Sequence, residues 1–138
     1  MVNSINNFLP KSIADSLHDY VRNLPFKYGW KSNKTIGYAH WNHDIAKAGP
    51  SNGLDVQNKL SGVVLDAWNF IKEAYMPEHI LIRCYANTHT YGVEGYPHTD
   101  SLRPHDTTVV VYMNKNWKRE WGGETLIDRK STRLNSSH

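Results

Sequence analysis

The 138-residue chain is poor in cysteine and has no long apolar run. Its one cysteine, Cys84, excludes an internal disulfide and agrees with a reducing compartment. No stretch approaches the roughly 20 apolar residues that a membrane-spanning helix needs. The N-terminus also lacks the basic and apolar regions of a secretory signal. We therefore predict a cytoplasmic protein with no membrane partner.

The chain also lacks a concentrated charge of either sign. Its formal net charge is +3, and residues 128–138 alone contribute +2 of it. The other Lys and Arg residues are scattered over 1–127, so no basic surface that would follow a phosphate backbone is indicated. We predict no nucleic-acid partner. A hydrophobic content of 39%, with five Trp and eight Tyr, predicts one folded domain instead.

The last eleven residues, 128–138, differ in character from the rest of the chain. They show no apolar periodicity, and their string DRKSTRLNSSH is the in-frame translation of a common sequencing adapter. We interpret them as an artefactual tail and exclude them from fold reasoning, as a fusion scar would be excluded. The alternative is a natural polar C-terminus. Under the first interpretation the domain comprises residues 1–127.

Helices are predicted first along this domain and strands later. Apolar residues recur at helical spacing within 10–24 and 55–75, and Pro25 and Pro77 end the two segments. Alternating aromatic residues over 26–41 predict two short strands around a turn at 32–34, followed by a loop over 48–53. The later predicted strands are rich in β-branched and aromatic residues and are separated by Gly and Pro: 80–85, 96–98, 107–114 and 124–127.

This order predicts an α+β fold with helices packed on an antiparallel sheet. We place a helical support at about 1–78 and a β core at about 79–127.

A possible metal-binding pair lies in the β-rich half. Residues two apart in a strand point to the same face, so His98 and Asp100 can present an imidazole and a carboxylate to one point. Iron(II) in non-haem oxygenases is held by two imidazoles and one carboxylate on one face of an octahedron. A His-x-Asp pair by itself is a weak motif. Here it follows a Gly-rich turn and precedes a β-branched run and a Gly-Gly pair, which strengthens it.

These residues resemble the iron(II)- and 2-oxoglutarate-dependent oxygenases of the prolyl 4-hydroxylase type. The resemblance covers about 80–127, and the helical half is less specifically similar. The segments that carry it are RCY at 83–85, YPHTD at 96–100, VVVYMNKNW at 109–117 and WGGET at 121–125.

The resemblance implies a double-stranded β-helix, or jelly roll, here incomplete. It implies His98 and Asp100 as iron ligands, with Tyr112 and Tyr85 contacting 2-oxoglutarate. Expected cofactors are Fe(II) and 2-oxoglutarate as cosubstrate, with ascorbate as a further reductant. The expected reaction is hydroxylation of prolyl or similar residues, in a peptide or small-molecule substrate.

The chain departs from the family pattern after Ile127. The family has a third ligand, a histidine, some tens of residues further on, and then an Arg or Lys that pairs with 2-oxoglutarate. We assign neither His105 nor His138 to that role. We therefore expect the chain to be an N-terminal fragment of an oxygenase that is inactive as it stands.

Other interpretations stay open. His98 and Asp100 can be a surface ion pair, and Tyr112 an ordinary core tyrosine. The doublets His43-Asp44 and His105-Asp106 occur in metal phosphohydrolases, but those enzymes need an all-helical frame. A different class of function, a non-catalytic jelly-roll binding module, is the main alternative to the enzyme.

Overall fold

The structure, a computed structural model, describes residues 2–32, 35, 37–47, 56–93, 95 and 97–127. It contains two helices, α1 (Lys11–Arg22) and α2 (Gly62–Tyr75). Three strands, β1 (Lys27–Trp30), β2 (His40–Lys47) and β3 (Arg83–Thr88), form one antiparallel sheet in the order β1-β2-β3. Short 3-10 turns lie at Gln57–Lys59 and Arg119–Trp121.

Both predicted helices are confirmed. Helix α1 follows Pro10 and ends at Asn23, whose backbone N–H donates to the carbonyls of the last turn. Helix α2 begins at 62 rather than 55, because 57–59 form the separate 3-10 turn. Its buried residues lie three and four apart, so they form one stripe along the helix: Val64, Ala67, Trp68 and Ile71.

The hydrophobic core lies between the helices and one face of the sheet. It joins residues of the segment before α1, of both helices, of the 56–60 turn and of β2. The buried members are Leu9, Leu17, Ala46, Val56, Leu60, Val64, Ala67, Trp68 and Ile71. The Trp68 indole N–H donates to the Gln57 side-chain oxygen at 2.8 Å, so its polar atom is satisfied.

The pairing of β2 with β3 shows which residues lie on each face of the sheet. Ala46 lies opposite Cys84, and both belong to the face that packs on the core. Burial raises the pKa of the Cys84 thiol, so it stays protonated and unreactive. Asp44 lies opposite Tyr85 on the other face, which we call the outer face. A bulge between Asp44 and Ala46 shifts the register at this point.

The pairing of β1 with β2 confirms the two strands predicted over 26–41, although β2 continues to Lys47. A second bulge lies between Tyr28 and Trp30. The residue inside it, Gly29, has φ of +121°, which side-chain-bearing residues rarely adopt. The bulge therefore depends on glycine at this position.

The later predicted strands are mostly absent as paired strands. The strand predicted over 80–85 overlaps β3 (Arg83–Thr88) only in its last three residues. Residues 107–114, 124–127 and the described part of 96–98 join no sheet among the described residues. Among the described residues, 107–117 form no backbone–backbone hydrogen bond. Strand propensity alone does not form a ladder, because each strand needs a neighbour to accept its hydrogen bonds.

The segment 107–117 is nevertheless attached to the core. Val111 and Met113 pack against it from alternate positions, as in a strand with one inner face. The ring nitrogen Nδ1 of His18 in α1 donates to the Met113 carbonyl oxygen at 2.6 Å. Lys115 also lies 3.6 Å from the Asp15 carboxylate of the same helix. The segment is therefore placed by α1 and not by a neighbouring strand.

These observations confirm the α+β class, with two helices and a three-stranded antiparallel sheet. The strands β1 and β2 fall inside the 1–78 region that was predicted to be helical support. No helix in the described part of the chain is long and apolar enough to cross a membrane. Predictions for the turn residues 33 and 34, the loop over 48–53, Tyr96 and the tail 128–138 lie outside the described residues.

Candidate metal and cosubstrate site

The outer face of the sheet is polar along β3. Arg83, Tyr85 and Asn87 alternate with the inward residues, so they share this face. Asn87 lies opposite Asn42 of β2, and the two side chains are joined by a 2.6 Å hydrogen bond from Nδ2 of Asn42 to Oδ1 of Asn87. The face is suited to binding a polar group.

The predicted metal pair lies in the segment that follows. His98 Nε2 and Asp100 Oδ1 are 3.2 Å apart, and the two side chains are 42% and 37% exposed. Two neighbouring ligand atoms of an octahedral ion with bonds of about 2.1 Å are about 3.0 Å apart. The two atoms therefore fit two adjacent ligand positions. An ordinary ion pair has the same spacing, so the distance agrees with both interpretations.

The pair supplies only part of a donor set. In the described part of the chain, no group of three His, Cys, Asp or Glu side chains is arranged to hold a metal ion. His98 and Asp100 thus fit iron(II) in donor chemistry and spacing, and the third protein ligand is missing from the described residues. A two-ligand site binds metal more weakly than a complete one.

Arg83 connects β3 to this segment. Its Nη2 donates to the backbone carbonyl oxygen of Asp100 at 3.2 Å, and its guanidinium carbon lies 5.4 Å from the centre of the Tyr85 ring. Arg83 thus contacts both the backbone of Asp100 and the ring of Tyr85, one of the two predicted cosubstrate tyrosines. The roles of Tyr85, His98 and Asp100 stay predictions.

The other predicted cosubstrate residue, Tyr112, lies on the unpaired segment and is 65% exposed. Its hydroxyl is hydrogen-bonded to the Thr125 hydroxyl. Among the described residues no hydrogen bond or ring contact joins Tyr112 to His98, Asp100 or Tyr85. Its role therefore stays a prediction.

The loop after the metal pair is held by its own hydrogen bonds. Ser101 Oγ donates to Asp106 Oδ2 at 2.7 Å, and Arg103 Nε donates to the same oxygen at 3.0 Å. The Ser101 hydrogen bond, followed by the charges of Arg103 and Arg83, lowers the pKa of the Asp106 carboxyl. The carboxylate of the His105-Asp106 doublet is therefore engaged within its own loop.

A pair of histidines at the end of the β2–β3 ladder is not evident from the sequence motifs. His40 is only 2% exposed, and its ring stacks on that of His89 with centroids 4.4 Å apart. The His40 Nε2 atom is buried and has no hydrogen-bond partner. Burial is the main cause that lowers the pKa of His40; repulsion from the His89 ring adds to it, and a hydrogen bond with Asn87 opposes it. Burial also lowers the pKa of His89.

The sequence motifs single out neither His40 nor His89. Their proximity follows from the register of β2 against β3, in which Trp41 pairs with Thr88 and Asn42 with Asn87. Extending this register by one residue brings His40 and His89 together, but the register is known only once the fold is known.

Comparisons of the chain with family models, with curated proteins and with solved structures give no match. The resemblance to the oxygenases thus depends on the residues and geometry described above.

Proposed function

We propose that this chain belongs to an iron(II)- and 2-oxoglutarate-dependent dioxygenase of the prolyl 4-hydroxylase type. The observation that carries the proposal is the 3.2 Å separation of His98 Nε2 and Asp100 Oδ1 beside the polar face of β3. Its substrate is a prolyl or similar residue in a peptide or small molecule. We propose that the jelly roll is completed by further strands, which cover the outer face of the sheet and pair with 107–114.

In this proposal His98 and Asp100 would hold the iron, with Nε2 and Oδ1 as the donor atoms. When bound, iron(II) with 2-oxoglutarate and oxygen supplies the oxidising power for C–H hydroxylation. The Arg83 contact to the Asp100 backbone fixes the carboxylate end of the pair against β3. Tyr85 and Tyr112 would contact the cosubstrate from two different segments of the chain, and ascorbate would serve as a further reductant.

The direct test is conversion of 2-oxoglutarate to succinate by the intact protein with iron(II). We expect His98→Ala to abolish this turnover, because one of the few metal ligands is removed. His105→Ala is the matched control, since it removes an imidazole from the next loop without touching the pair. Turnover that survives His98→Ala would show that the site is elsewhere. The chain of residues 1–127 is expected to be inactive.

A non-catalytic jelly-roll binding module is the second candidate. It is favoured by the incomplete donor set, since no three-ligand group is present in the part of the chain that the structure describes. A distal histidine followed by an Arg or Lys in the full reading frame would decide for the enzyme. Their absence there would decide for the binding module.

A further inference from the structure

The segment 107–114 has the composition of a strand that can pair with an identical strand. Its sequence, TTVVVYMN, contains no charged residue, no Pro and no Gly. A run of about seven such residues with high β propensity is typical of segments that pair between chains. Charged residues stand just outside it, Asp106 before and Lys115 after. Nothing within the segment therefore opposes the pairing of two copies.

The segment has one backbone edge turned to the protein and one open edge. In an extended chain the N–H and C=O of one residue point to one edge, and those of the next residue point to the other. The Met113 carbonyl oxygen accepts a hydrogen bond from His18 of α1, so the edge of 109, 111 and 113 is turned to that helix. We call the edge of 108, 110 and 112 the open edge. Among the described residues its backbone forms no hydrogen bond, and Val110 is 61% exposed.

A two-fold axis at Val110 brings the open edges of two copies together. Two antiparallel strands related by such an axis present the same surface to each other. Val110 then lies opposite Val110 of the second copy, and Thr108 lies opposite Tyr112. Both cores stay on the same side of the joined sheet, since a two-fold axis perpendicular to a sheet does not exchange its faces. The exposed side chains of Val110 and Tyr112 therefore meet those of the second copy, while Val111 and Met113 keep their core contacts.

The charges on either side of the segment favour the antiparallel direction. An antiparallel pair places residues 100–106 of one copy beside residues 115–120 of the other, whereas a parallel pair would place like ends together. The two flanks carry net charges of opposite sign, and opposite charges across a strand pair are stabilising. The first flank has Asp100 and Asp106 against Arg103, a net −1, and the second has Lys115, Lys118 and Arg119 against Glu120, a net +2.

We propose that a second copy of this chain pairs with the open edge, antiparallel across a two-fold axis at Val110. The inference goes beyond the proposed function, because it depends on a backbone edge and not on the metal pair. The further strands proposed above would compete with the second copy for 107–114. The prediction therefore concerns the chain of residues 1–138, to which those strands do not belong.

Sedimentation equilibrium of the 138-residue chain tests the proposal, and a monomer–dimer equilibrium is expected. Val110→Lys places two lysines opposite each other and should raise the dissociation constant of the dimer at least about tenfold. Val2→Lys is the matched control, since Val2 is 52% exposed and lies outside the segment, and it should leave the constant unchanged. A wild-type chain that stays monomeric up to about 0.5 mM, or equal constants for the two variants, would overturn the proposal.

A charge pair tests the register without relying on Val110. Thr108→Lys and Tyr112→Asp should each weaken the dimer, because each buries a charge against an uncharged neighbour. The double variant should recover the wild-type constant to within about threefold, since each lysine then faces an aspartate of the other copy. Positions 108 and 112 are about 13 Å apart in one extended chain, so the recovery arises between copies. Weakening in both single variants without recovery in the double variant would contradict the pairing at Val110.

Discussion

Residues 2–93 and residues 97–127 have similar contents of β-branched and aromatic residues but different structures. Among the described residues, the first region contains both helices, all three paired strands and every buried core residue. The second contains His98 and Asp100, the candidate metal ligands, and an extended segment with no ladder among the described residues. The contrast shows that a strand-like sequence becomes a strand only where a partner lies beside it.

The same contrast applies to burial. Val110, Tyr112 and Trp117 are exposed although each is large and apolar or aromatic. In the first region Trp68 and Ile71 are buried because two helices and a sheet face enclose them. Grouped exposed apolar side chains commonly mark a place where something else packs, and Val109, Val110 and Tyr112 are exposed neighbours along the chain. This agrees with the proposal that further strands cover the second region.

The largest effect should follow from truncating the core of the first region. Ile71→Ala removes a side chain that is 8% exposed on α2, and we expect it to lower the free energy of unfolding by about 2–5 kcal/mol. Leu126→Ala, at a position that is 90% exposed, should change it by less than about 0.5 kcal/mol. Urea denaturation of both variants measures the difference. Equal effects would contradict the difference in burial between Ile71 and Leu126.

Acid should next weaken the end of the β2–β3 ladder, which lies within the first region. The pKa values of His40 and His89 are lowered from 6.5 in the folded protein, chiefly by burial, so the unfolded chain binds more protons below that pH. The contribution of the two neutral histidines to the free energy of unfolding is then fully present above about pH 6.5. It is lost as the pH drops towards the pKa values of the folded protein. Urea denaturation at about pH 7.5 and about pH 5.5 measures this dependence.

The control for the acid effect is substitution of one of the two stacked histidines. His89→Gln should flatten the loss of stability between the two pH values, because one of the two proton-binding sites is removed. His105→Gln, in the exposed loop, should leave the wild-type dependence in place. A dependence that His89→Gln does not change would contradict the role of the stacked pair.

The smallest effect concerns the link between the regions. His18→Ala removes the donor to the Met113 carbonyl oxygen, and we expect it to lower the free energy of unfolding by about 0.5–1.5 kcal/mol. Trypsin should also cut after Lys115 faster, since the His18 bond ties this segment to α1. His43→Ala on β2 serves as the comparison. An unchanged cleavage rate would mean that the His18 bond does not hold the segment.

The site was predictable in part. The pair His98 and Asp100 follows from the period of a strand and from metal-ligand chemistry, and the structure places their donor atoms 3.2 Å apart. Tyr85 was predicted from the resemblance, and its role stays a prediction; its ring and the Asp100 backbone both contact Arg83. The position of Tyr112 relative to the pair was not predictable in the same way, because its segment has no ladder to fix its register.

The sequence by itself determined the two helices, because their apolar residues repeat every three to four positions and Pro stands at their ends. It also determined the α+β class and the chemistry that two donors two residues apart can supply. Only the tertiary structure decided which face of β3 is polar, which histidines meet, and that Arg83 reaches the Asp100 backbone. Those features depend on strand register and bulges, which arise from pairing between segments distant in the chain.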